Sequence, residues 1–242
     1  MSRSAKDIVI KVIPSKISNK FMKKHHYSGK VVSNSRLHFG VFLDNELHGA
    51  LSFGSPLDKS KVLGLVKNTG WSEMIELNRM AFDDYLPRNS ESRAISQCIK
   101  LIKKNAPHVK WILSFADATS CGDGTIYRAS NFILTDIKPN ANIAILPNGE
   151  KIHKMTLESS STSPRPELNG KSYYDITGGK YSFKKYLEYT GAKVLEGYQL
   201  RYIYLIDKSC ELNVEKIPFS KIDEIGAGMY KGEKISIKDR QN

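Results

Sequence analysis

The chain has 242 residues, 40% of them hydrophobic, and its 37 basic against 25 acidic side chains leave a net charge of +12. No apolar run approaches the roughly 20 residues that span a bilayer, and Met1 to Asp7 lacks the apolar stretch of a secretion signal. Three cysteines without CxxC spacing exclude a disulfide framework and a zinc knuckle and suit a reducing, cytoplasmic compartment. So basic a chain points to a polyanionic partner, and its 12 tyrosines suit stacking on bases as well as phosphate contact.

In chain order, Ile8 to Ile13 is a short β run, and a helix follows over Lys16 to Lys24, cut off at His25-His26-Tyr27-Ser28-Gly29. Leu37 to Leu43 and Leu47 to Phe53 alternate as a hairpin around Asp44-Asn45-Glu46. Gly54 to Ser72 is loop-rich, and Met74 to Phe82 is a strand. Asn89 or Ser90 is expected to cap the next helix, whose apolar face is Ala94, Ile95, Cys98, Ile99 and Ile102. Val109 to Ala116 reads as a central strand buried on both faces. A short helix covers Gly124 to Ser130, with Asn131 in the left-handed position after it.

Phe132 to Ile137 and Ala141 to Leu146 are further strands, and Ser182 to Tyr189 is a helix ended by Gly191. Gln199 to Ile206 is the last strand, and the polar, proline-bearing stretch within 156–172 reads as a flexible insertion. The expected organisation is one catalytic domain over 1–207 with a C-terminal extension over 208–242. The fold class is α/β, a mixed central β-sheet flanked by helices. This order of elements resembles the GNAT (acyl-CoA N-acyltransferase) fold.

Three stretches carry chemistry. The loop Arg88-Asn89-Ser90-Glu91-Ser92-Arg93 joins a strand to a helix start, where amides and dipole favour an anion. In acetyltransferases of the fold it resembles, this loop holds the pyrophosphate of acetyl-CoA, which makes Arg88, Asn89, Ser90, Ser92 and Arg93 the candidate cofactor-binding residues. Both glycines of that family pattern are missing here, so an ordinary helix cap is the competing reading. Tyr127-Arg128-Ala129-Ser130-Asn131-Phe132 resembles the Tyr-x-x-x-Gly-Phe signature of the same fold, in which the phenol protonates a departing thiolate. Asp117 stands at the carboxyl end of a buried strand, where open α/β sheets bind ligands. His26-Tyr27 places an imidazole and a phenol side by side on a loop.

Taken with Leu77-Asn78-Arg79-Met80-Ala81-Phe82 and Ser114-Phe115-Ala116-Asp117, these stretches resemble the Mom family of phage DNA-modification proteins over about residues 20–135. The resemblance implies conversion of adenine in double-stranded DNA to N6-carbamoylmethyladenine, which shields phage DNA from host restriction. It also implies iron and a site formed by His26, Tyr27, Asp117 and Tyr127, with His26 and Asp117 as the metal pair. Adenine N6 lies inside the duplex, so the base must be flipped out. Arg79, Lys24 and Arg128 are the expected DNA contacts, and the host cytoplasm the expected location. The acyl donor is left open, acetyl-CoA being one choice. An acetyl-CoA-dependent N-acetyltransferase and a non-catalytic DNA-binding module are the competing functions.

Overall fold

The computed structural model describes residues 4–236 and 239. Met1 to Arg3 and the end of the expected 208–242 extension, residues 237, 238 and 240–242, lie outside the described residues. In chain order the first elements are β1 (Val9–Val12), α1 (Ser15–His25), β2 (Ser35–Leu43), β3 (Glu46–Gly54), α2 (Lys59–Val62), β4 (Met74–Phe82), α3 (Ser90–Asn105), β5 (Trp111–Ala118), α4 (Thr125–Ala129) and β6 (Ile133–Asn140). They are followed by β7 (Ile143–Ile145), β8 (Lys151–His153), α5 (Lys154–Ser159), α6 (Tyr173–Thr177), α7 (Phe183–Thr190), β9 (Lys193–Val194), β10 (Gly197–Leu205), α8 (Ser220–Glu224), β11 (Met229–Tyr230) and β12 (Glu233–Lys234).

The chain divides into two compact units. The first comprises 1–116, 123–137 and 200–226, so the expected boundary at residue 207 falls inside it. Its seven-stranded sheet runs β1-β2-β3-β4-β5-β10-β6. The first four strands are antiparallel, and β4 and β5 are parallel, joined through α3. This is the mixed sheet expected of an acetyltransferase-like fold. Asp44 and Asn45, at φ 51° and 66°, make the two-residue turn between β2 and β3; consecutive positive φ values match the right-handed twist of a hairpin. On α3 the predicted apolar face, Ala94, Ile95, Cys98, Ile99 and Ile102, is buried. On β5, Trp111, Ile112 and Leu113 are buried in succession, as a strand covered on both faces requires.

The second unit comprises 117–122, 138–199 and 227–242. Its three-stranded sheet, β8-β7-β9, packs with α5, α6 and α7 around Leu157, Leu168, Tyr173 and Tyr186. This corrects the flexible insertion expected within 156–172. α5 occupies its start and a short 3-10 helix spans Pro166–Leu168. Arg165 fastens the intervening turn by donating to the Thr156 carbonyl at 2.8 Å and to Ser160 Oγ. Among the described residues no helix is long and apolar enough to cross a membrane.

Candidate active site

β4 is the middle strand of its sheet, yet Glu76, Asn78, Arg79 and Met80 are only half-buried. Apolar clusters cover the strand at both ends. Met74 packs with Trp111 and Leu113, while Ala81 packs with Ala50 and with Phe21 and Met22 of α1. Polar side chains fill the gap between them.

A β-bulge sets their direction. Phe53 pairs with Leu77 and Ser52 with Arg79, so Asn78 is an extra residue on β4. A regular strand would put Leu77 and Arg79 on one face; one inserted residue sends them to opposite faces. Arg79 thereby joins Ser52 and His38 on the face that α1 covers, where the hydroxyls of Ser52 and Ser18 lie 3.0 Å apart and His38 Nδ1 lies 2.8 Å from Ser52 Oγ. From there Arg79 Nη1 donates to His26 Nδ1 at 3.0 Å and to Ser28 Oγ. The Ser28 amide donates to the same ring nitrogen at 3.1 Å. Burial pulls the Arg79 pKa down and the Tyr27 phenol offsets this, while Arg79 Nε is buried with no hydrogen-bond partner. The exposed Tyr27 ring lies 4.3 Å from the His26 ring.

These contacts define the state of His26. A nitrogen that accepts N–H bonds from a guanidinium and an amide carries no proton, so the ring is neutral with its hydrogen on Nε2. That arrangement does not fit the expected metal role. Nδ1 has spent its lone pair, Nε2 holds a proton, and a guanidinium charge sits alongside. The proposed partner, Asp117, belongs to the second unit, where its carboxylate accepts from the Thr119 amide at 2.9 Å and from Ser120 Oγ at 2.8 Å. Among the described residues no group of three His, Cys, Asp or Glu side chains could hold a metal ion.

Tyr127 sits on the other face of the sheet. Leu77 pairs with Ser114, which places Ser114 opposite the Arg79 side, and Ser114 Oγ lies 2.7 Å from Tyr127 Oη and 3.1 Å from the Leu77 carbonyl. The phenol is buried against Phe132 and Tyr202. Asn131, at φ 61°, takes the left-handed position as expected, and the Phe132 amide closes the turn on the Tyr127 carbonyl at 3.0 Å. Pairing of β4 with β5 runs from Met74–Trp111 to Leu77–Ser114, although β4 continues to Phe82 and β5 to Ala118. The strands therefore part at Ser114, with the imidazole on one face of the opening and the phenol on the other.

The loop before α3 forms a basic cleft of about 710 Å³. Arg88, Asn89, Ser92 and Arg93 line it together with Lys6 and Lys100 and no carboxylate. Arg93 Nε is buried without a partner. Ser90 is not on this wall: it is fully buried and donates to the Pro87 carbonyl at 2.7 Å. Nor does Asn89 cap the helix through its side chain, because it enters at φ 70° without a side-chain cap bond. Of the expected DNA contacts, Lys24 is exposed in the last turn of α1. Arg128 is held by Thr125 Oγ1 at 3.0 Å, by buried Asp123 at 3.8 Å and by the Phe219 ring.

One functional candidate escaped the sequence reading. Glu76 stands within the same gap as Arg79, and burial raises its pKa to about 7. The only carboxyl on the strand Met74 to Phe82 was the available signal.

The sheet, the splayed strands and the basic cleft at a helix start define an acetyltransferase-like α/β protein. The chain belongs to the Mom protein family, whose model matches residues 7–221. It is 36% identical over 155 residues to "Methylcarbamoylase mom" of Escherichia phage Mu, a match covering 64% of this chain and 64% of that relative. Less than two thirds of the relative's length is thus spanned. Similar solved structures include the ribosomal-protein-S18-alanine N-acetyltransferase of Escherichia coli, at TM-score 0.42 and 9% identity, covering 84% of this chain and 96% of that one. A GNAT family acetyltransferase from Elizabethkingia anophelis with acetyl-CoA bound has a TM-score of 0.38 and 16% identity over 61% of this chain and 93% of that one.

Proposed function

We propose that this protein is a phage DNA-modifying transferase that converts adenine to N6-carbamoylmethyladenine in double-stranded DNA and so protects phage DNA from host restriction. The observation that carries the reading is the Arg79–His26–Ser28 cluster, held over an opening between parallel strands, in a chain similar over 155 residues to a methylcarbamoylase. The charge of +12 suits a DNA substrate, and an extruded adenine needs an aromatic to stack on, which the exposed Tyr27 supplies.

In this reading the cationic cleft of Arg88, Asn89, Ser92 and Arg93 binds an anionic donor, and its carbamoylmethyl carbon lies at the opening. Neutral His26 offers the Nε2 hydrogen to the purine ring, with Arg79 holding it in that tautomer. Tyr127, hydrogen-bonded to Ser114, protonates the leaving group. Asp117 shapes the turn at the end of β5. No step runs through iron, because the described side chains do not fit it. Mass spectrometry of nucleosides from DNA co-expressed with the protein should show a new adenine species of carbamoylmethyl mass. An unmodified profile beside abundant soluble protein would refute the reading.

A further inference from the structure

We propose that Glu76 is the base that takes the N6 proton of the target adenine. The inference rests on the DNA-modification reading and adds the proton acceptor that reading lacks. The other candidate proton acceptors of the site are already committed. His26 Nδ1 accepts from Arg79 and Ser28, Tyr127 is bonded to Ser114, and the Asp117 carboxylate closes its own turn. Glu76 has no ion pair among the described residues.

Its position is built. Ser35, Gly54 and Glu76 are cross-strand neighbours on β2, β3 and β4, on the face that Arg79 shares. At Gly54 a Cβ would overlap the Asn34 carbonyl, so backbone of residues 34 and 35, and no side chain, lies beside Glu76 on this face. The bulge residue Asn78 hydrogen-bonds to the Glu76 side chain and accepts from Ser35 Oγ at 3.0 Å. The carboxyl is thus oriented through two links, half-buried on the central strand, between the apolar clusters that cover the strand ends. A carboxyl that titrates near neutrality matches what a general base needs.

The N6 lone pair forms a bond to the electrophilic carbon of an activated donor bearing an anionic leaving group. The bond from that carbon to the leaving group breaks, and its electron pair departs with the leaving group. The N6 proton moves to the Glu76 carboxylate, and water collects it after turnover.

Modified adenine in DNA from cells expressing the full chain provides the test, with duplex affinity of the purified protein measured in parallel. Glu76→Gln should lower the modified fraction by roughly 100-fold or more while duplex affinity stays within about threefold. Ser35→Ala, which frees Asn78, should lower it several-fold, and Ser35→Thr should restore it. Wild-type modification by soluble Glu76→Gln protein overturns the inference. If that variant is insoluble, unchanged modification by Ser35→Ala overturns it instead. Absence of modified adenine with the wild-type chain is a different failure, that of the DNA-modification reading itself.

Discussion

Glu76 shows how one residue couples stability to pH. Its pKa rises from 4.5 to about 7 chiefly by burial, with a hydrogen bond from Asn78 opposing the rise. Its cross-strand neighbours Gly54 and Leu113 are uncharged, and Arg79 on its own strand turns toward His26. The folded state therefore binds the proton more tightly than the unfolded chain. Wild-type stability is highest below pH 4.5 with respect to this group and falls as pH climbs to about 7. Glu76→Gln removes that dependence. Urea unfolding at pH 5 and pH 8 should show the variant gaining on the wild type by up to about 3 kcal/mol at the higher pH. Equal pH profiles for the two proteins would contradict the burial. Arg79 is the second instructive residue, since its charge is half-buried and its Nη1 hydrogens hold a histidine tautomer. Arg79→Lys keeps the charge but loses the planar fork. It should cut modification at least about tenfold in the nucleoside assay.

At the level of elements, much was legible. Periodicity located β4, β5 and α7 to within two residues, and the apolar face of α3, because each buries one regular face or a continuous apolar run. The bulge at Asn78 was invisible, since hydropathy along a strand records alternation and not which partner residue stands opposite. That is why Glu76 and the direction of Arg79 emerged only with the strand pairing. The stretch around Arg165 misled for another reason: Leu157 and Leu168 stand alone among polar neighbours, and order comes from guanidinium bonds to backbone and hydroxyl that no periodicity reports. Gly124 opens α4 at φ 86°, and a Cβ there would meet the Tyr202 ring at 2.5 Å. Tyr202 in turn donates to the Asp123 carbonyl. Gly124→Ala should thus cost about 1–3 kcal/mol, seen as a lower urea midpoint, and should disturb Tyr127 three residues on.

For the molecule as a whole, charge is the property most open to test. With +12 spread over 242 residues, duplex binding should weaken at least about tenfold between 50 and 200 mM salt, the loss expected when two phosphates or more are contacted. Lys24→Ala should flatten the log–log slope by about one while leaving sequence preference alone. A salt-independent affinity would remove the electrostatic case for DNA. The parting of β4 and β5 beyond Ser114 has a consequence for traffic. α1, with the His26 imidazole just beyond its end, lies on one side of the sheet, and α4 with its phenol, against which α3 packs, lies on the other. If the chain modifies DNA as proposed, two cargoes arriving by separate doors would not queue: it could be charged with one while it scans for the other, and neither would have to leave before its counterpart enters.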